Sequence, residues 1–281
     1  MSGFREKMRG AASSLGAWKR DAGALWKEFA LHDGSQAAAA FAFFAFLSLF
    51  ALLILASGIL GMVLRNRPDL LRRAVDYVVS RAPGISEMVE EALDTSADLG
   101  GLLGVIGFLG LLLTGTKVTD SLQVWLNRIW GFEKPSFARR KSKGLVILLV
   151  VALAVSLGLF LNIILVYAAG KVGGLKIPLS LLAFLGAVAV QATALAFIFA
   201  YATETRIGMR NVWKGALAAA FLINPLLLLL TWYYTHMGDL AAVYGSFAGV
   251  VLGILTIYYA AYVIYLGAEL NHFLYKRKKA A

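Results

Sequence analysis

The chain has 281 residues, 60% of them hydrophobic and 15% charged, with no cysteine and a formal net charge of +11 at pH 7. A water-soluble domain is about 45–50% apolar and about 25% charged, so this composition argues against a soluble fold and points to the bilayer as solvent. Lack of cysteine excludes disulfides, thiolate metal sites and cysteine nucleophiles, and the basic balance fits the positive loops of a membrane protein better than a nucleic-acid surface.

The first element in chain order is amphipathic. Trp18, Ala22, Leu25 and Phe29 recur at helical spacing, with Lys19, Arg20, Lys27 and Glu28 largely elsewhere around the wheel. Two placements fit, a helix on the inner membrane surface or one packed on the chain's own spans. The block from Ala37 to Leu64 is the first span; it starts too late and runs too long for a signal-peptide core of about 7–15 residues. Between Asn66 and Asp98 lies the one sizeable outer loop. Leu70, Leu71, Ala74, Val75, Val78 and Val79 mark an amphipathic helix, Pro83 and Gly84 break it, and Ser86 to Leu93 predicts a short acidic helix, together a two-helix cap.

The second span begins near Leu99 and is clean only to Leu113, short of the roughly 20 residues a crossing needs. Its continuation places Thr116, Asp120, Gln123 and Asn127 on one face, at i, i+4, i+7 and i+11. Polar groups at membrane depth usually face protein or a water-filled cavity. The spacing therefore predicts the wall of a cytoplasm-facing cavity, set against the plainer reading of a solvated helix leaving the membrane. Gly144 to Gly170, Leu179 to Ala202, Val212 to Thr235 and Ala241 to Ala268 supply four more spans, with Asn224-Pro225 favouring a kink in the fifth. The runs are continuous rather than alternating, which selects helices over a barrel. Small-residue stripes at Gly100 and Gly104, and at Gly245, Gly249 and Gly253, are expected helix contacts.

The expected fold class is thus all-α: an integral membrane bundle of six transmembrane helices with an N-terminal amphipathic helix and a helical outer loop. Residues 1–36 form the amphipathic segment, 37–270 the membrane domain with outer loop 66–98, and 271–281 a basic tail. Twenty of the 27 Lys and Arg fall in the N-terminal segment, the loops after the second and fourth spans, and the tail. That asymmetry predicts both termini in the cytoplasm.

Chemistry-bearing residues are sparse. His32, His236 and His272 fall at the ends of different predicted spans. No pair has metal-ligand spacing along the chain, and no paired carboxylates stand out for acid–base work. No catalytic residue, cofactor or metal is expected, and no enzyme. Glu269, Asn271 and His272 read as interfacial polar groups at the inner end of the last span.

Four segments, in order, carry a resemblance: "HDGSQAAAAFAFFAFLSLF" (His32 to Phe50), "SLQVWLNRIWG" (Ser121 to Gly131), "AVYGSFAGVV" (Ala242 to Val251) and "YLGAELN" (Tyr265 to Asn271). With them the chain resembles the YihY / virulence factor BrkB family of bacterial inner-membrane proteins, over roughly Trp26 to Asn271. It departs from the family pattern at Tyr201 to Trp213, which lacks a proline. The motif residues singled out by the resemblance are Asp33, Gly34, Tyr244, Gly245, Ser246, Glu269 and Asn271. The resemblance implies a multi-pass inner-membrane protein of the cell envelope, a transporter or flippase-like protein for a lipid or amphiphilic component. The alternative is a non-transporting scaffold of an envelope complex. Expected partners are membrane lipids and a second copy of the chain, with neither nucleic acid nor metal. Some family members carry a ribonuclease label. The short basic cytoplasmic segments here offer no acid–base pair or metal cluster for RNA cleavage.

Overall fold

In lipid an apolar segment can satisfy its peptide groups only internally, so the long apolar runs become helices. The computed structural model describes residues 20–65, 86–133, 135–171, 176–205, 207–236 and 247–280, which hold seven helices and no strand. These are α1 (residues 20–31), α2 (Gly34–Arg65), α3 (Ser86–Ile129), α4 (Phe137–Lys171), α5 (Lys176–Tyr201), α6 (Met209–His236) and α7 (Phe247–Ala280). Helices α2 to α7 are all long and apolar enough to cross a membrane, which makes the chain an all-α membrane protein with six candidate spans. Hydroxyls within them are spent on their own backbones, Ser48 on the Phe44 carbonyl, Thr114 on Gly110, Thr231 on Leu227 and Thr256 on Leu252, so these side chains leave no unpaired polar atom facing lipid.

The chain divides into two compact units, and both divisions fall inside continuous helices. The smaller unit lies between Phe43 and Val118. There α2 and α3 run antiparallel along a glycine seam. A methyl group added at Gly58 would strike the backbone of Gly104, one at Gly107 the backbone of Leu55, and one at Gly100 the Met62 nitrogen at 2.9 Å. Each step down α2 is thus a step up α3, at a separation only glycine permits.

The larger unit joins the described residues up to Ala42 with those from Thr119 onward. Helices α4, α5, α6 and α7 pack each on the next. Its core includes Leu126, Phe199, Val212, Ala216, Ala220, Tyr265 and Ala268. The closest approach is between α6 and α7, where a methyl group at Gly215 would overlap the Gly267 carbonyl and one at Gly267 would sit 2.8 Å from Ala219 Cβ. α3 ends in a Schellman cap: the Phe132 N–H donates to the Asn127 carbonyl, the Gly131 N–H donates to that of Arg128, and Gly131 takes φ 69°.

α1 packs on this unit through Phe29, which meets Tyr262 at 4.9 Å and Trp125 at 6.1 Å between ring centroids. Arg277 and Lys276 of α7 pair with its Asp21 and Glu28. Trp18 lies outside the described residues.

Three expectations change. The acidic segment from Ser86 is not a separate short helix but the start of α3, because nothing between Leu93 and Leu99 breaks the helix. The companion segment from Leu70 to Val79 lies outside the described residues. The basic tail expected from residue 271 is, through Ala280, the continuation of α7, with Asn271 and His272 buried. Gly249 is exposed, and among the described residues nothing lies within 4 Å of its added methyl position, so it packs against none of them.

Candidate functional site

Two polar seams converge at the end of the larger unit where α3 and α5 finish and α4 and α6 begin. The first is the polar face of α3. Asp120 pairs with Arg140 Nε at 3.2 Å and Lys141 Nζ at 2.8 Å, both in the first turns of α4. The Gln123 amide donates to the Arg140 carbonyl at 3.1 Å. Asn127 donates to the Gln123 and Ala202 carbonyls and accepts from the Glu204 N–H at 2.6 Å. Lys143 donates to the Thr203 carbonyl, and Arg139 pairs with Glu204.

Gln123 and Asn127 are essentially fully buried. This face is therefore a packed socket for the α5–α6 loop, not the wall of an open hydrated cavity. The same shared helical face serves both readings, and only the position of residues 140 and 202–204, distant in sequence, separates them. Thr116, the fourth member expected, belongs to the smaller unit, where its hydroxyl donates to the Leu113 carbonyl.

The second seam surrounds Glu269 of α7, whose side chain is fully buried. His32 Nδ1 lies 3.1 Å from each of its carboxylate oxygens. His272, one turn further along α7, places Nδ1 3.6 Å from Oε1. Glu28 of α1 completes the group, so that Glu28, Glu269 and His272 each offer a ligand atom within 4.8 Å of the others.

Aromatic rings enclose the cluster. Trp130 sits 5.1 Å from the His272 ring, and the Trp125 indole N–H donates to the His32 carbonyl at 2.9 Å. The turn that delivers His32 is tightly specified. Asp33 holds φ 57°, a left-handed conformation that aspartate tolerates better than most residues. A side chain at the buried Gly34 would run into the Phe29 ring. Asp33 itself meets Arg128 at 3.1 Å on the exposed rim.

Asn271 forms a third feature nearby. Its Oδ1 accepts from the Gly215 N–H at 2.6 Å and its amide donates to the Val212 carbonyl at 2.8 Å, so one side chain brackets α6 where the two helices touch. Tyr244, Gly245 and Ser246 lie outside the described residues; Gly253 is half-buried on α7.

Reading by spacing along the chain finds no metal-ligand set and misses the Glu269 cluster, because His32 and Glu269 alone are 237 residues apart. A local signal existed. Glu28 and His32 stand at i, i+4 and Glu269 and His272 at i, i+3, so each pair shares one helical face.

Residues 25–281 match the family described as virulence factor BrkB. The ribonuclease-like protein YfkH of Bacillus subtilis, so described by its name, is 27% identical over 263 residues, covering 91% of this chain and 95% of that protein. UPF0761 membrane proteins from Methylibium petroleiphilum and Alcanivorax borkumensis are each 28% identical, covering 68% and 70% of this chain. The chain spans about half the length of those two, 47% and 46%. No solved structure matches the chain.

Proposed function

Because the chain belongs to the virulence factor BrkB family of multi-pass membrane proteins, we propose that it is a transporter or flippase-like protein moving a lipid or amphiphilic envelope component across the bacterial inner membrane, with both termini in the cytoplasm. The observation that carries the reading is Glu269, a fully buried carboxylate on a membrane-spanning helix, facing two imidazoles and a second carboxylate. Ionisable groups at such positions are costly and mark ion or substrate pathways.

An amphiphilic substrate is favoured over a hydrophilic one by the spans themselves. Their hydroxyls are turned onto their own helices, while charge gathers at one end, in Arg139, Arg140, Lys141, Lys276 and Arg277. That arrangement suits an amphiphile, with a polar headgroup at the charged end and an apolar tail along the spans. The ribonuclease-like name of the Bacillus relative is not adopted as this chain's activity: Glu269 and His272 are buried and present no open face to an RNA phosphate.

The test is reconstitution into vesicles carrying a fluorescent phospholipid in both leaflets, with a membrane-impermeant reductant added outside. A transporter makes the inner-leaflet probe accessible beyond the level in protein-free vesicles, and Glu269→Gln slows it. Protein-free and wild-type vesicles behaving alike across anionic and zwitterionic probes would overturn the reading and leave the scaffold.

A further inference from the structure

We propose that Glu28, Glu269 and His272 form a binding site for a divalent transition-metal ion, with His32 as the residue that positions Glu269. The proposal rests on ligand geometry and holds whether or not the chain moves a substrate.

The three donors come from two packed helices. α7 supplies Glu269 and His272 at i, i+3, and α1 supplies Glu28 across the interface made by Phe29 and Tyr262. Nitrogen and oxygen donors bound to zinc at about 2.0–2.2 Å sit roughly 3–3.5 Å from one another. The observed 3.6 Å from His272 Nδ1 to Glu269 Oε1, with all three donors inside 4.8 Å, needs only small side-chain rotations to reach that spacing.

A second observation points to a ligand. His272 Nδ1 is buried and, among the described residues, has no hydrogen-bond partner, and neither has Glu28 Oε2. The His272 side chain is only 9% exposed and aims this atom at the Glu269 carboxylate. Buried polar atoms normally find a partner, and leaving them without one is costly. An ion between the three residues would satisfy both and balance the two carboxylate charges.

Glu28 can serve without giving up its surface contact. Lys276 takes Oε1 at 3.4 Å, which leaves Oε2 for the ion. His32 faces both oxygens of Glu269 at 3.1 Å, and its turn is held by the Trp125 indole. An imidazole bonded to a ligating carboxylate fixes its orientation and is a usual outer partner of a metal ligand.

The donor set selects the class of ion. Calcium and magnesium take oxygen donors, whereas imidazole with carboxylate suits zinc, manganese or ferrous iron. Three protein donors leave one or more positions for water or another small ligand.

The experiment uses the full chain in detergent, purified on a tag without histidine, stripped with a chelator, then titrated with zinc, manganese or cobalt. Metal content is read after gel filtration, and cobalt's visible absorption reports nitrogen and oxygen coordination. Wild type should retain one equivalent and melt at a temperature that rises with metal concentration, as binding to the folded state requires. Glu28→Gln, a near-isosteric change at a side chain 27% exposed, and His272→Ala should each weaken binding at least tenfold and abolish the melting shift. His32→Ala should weaken it about 10–100-fold, and His236→Ala should bind as wild type. Substoichiometric binding of all three metals by wild type would overturn the site. So would full affinity in monodisperse Glu28→Gln and His272→Ala. These readouts involve no lipid flux, so failure here is distinguishable from failure of the transport reading.

Discussion

At the scale of single residues, two asparagines do similar work in different backbone settings, and the setting decides what each contributes. Asn127 satisfies the Glu204 N–H and the Ala202 carbonyl in a loop where neither has a helical neighbour to fall back on. Asn271 binds the Gly215 N–H and the Val212 carbonyl, which lie within α6 and keep their in-helix alternatives. A buried group left without a partner costs about 1–3 kcal/mol, whereas a hydrogen bond whose partners can re-pair is worth about 0.5–1.5 kcal/mol. Asn127→Ala should therefore lower stability by about 1–3 kcal/mol and Asn271→Ala by about 0.5–1.5 kcal/mol, measured as thermal unfolding of the detergent-solubilised chain. Equal losses would show that the loop finds substitute partners. The amide spacing on α3 was legible in the sequence as a polar face. What that face touches was not, because Arg140 and residues 202–204 reach it only through the fold. Glu269 shows the same limit: its place on the last span could be read, but only as an interfacial group, and its burial depends on His32 from the other end of the chain.

At the scale of elements, small residues show where a helix can be approached, not where it is. The stripe on α3 was a sound guide because glycine recurs at every third or fourth position through the apolar run, and the seam with α2 uses Gly100, Gly104 and Gly107. Along α7 the tight contact falls at Gly267, outside the G-x-x-x-G pattern, while among the described residues Gly249 meets nothing. Overpacking a well-packed contact costs about 1–3 kcal/mol. Gly215→Ala, whose methyl group would overlap the Gly267 carbonyl, should lose about that much, while Gly249→Leu should melt close to wild type. The reverse order would refute the α6–α7 contact. Boundaries were the weakest part of the element reading. The acidic run from Ser86 and the basic run after Asn271 looked like surface appendages from charge alone, yet both continue spanning helices, because charge marks solvent exposure and not a helix end.

For the whole molecule the question is which side of the membrane each end of the larger unit faces, and the placement of charge on α4 bears on it. Cations are favoured at helix C-termini by the backbone dipole and disfavoured at N-termini. Arg277, Lys278 and Lys279 in the last turn of α7 and Arg128 in the last turn of α3 obey that preference. Arg139, Arg140 and Lys141 do not, for they sit in the first turns of α4. Something other than the dipole put them there. Asp120 and Glu204 offset part of the cost locally. The common factor among all these cations is that they lie at one end of the same unit, joined by contacts from Asn127 to Ala202, Gln123 to Arg140 and Lys276 to Glu28. Cytoplasmic loops of membrane proteins carry such an excess. Six candidate spans return the last helix to the side on which the first began. Reporter fusions after Arg140 and after Lys278 should therefore read as cytoplasmic, and one near Glu90 as external. An external signal at Lys278 would require an odd number of crossings and separate the two basic clusters that the contacts place together. A cytoplasmic signal at Glu90 would mean that α3 does not cross at all, and that its glycine seam with α2 serves a re-entrant hairpin.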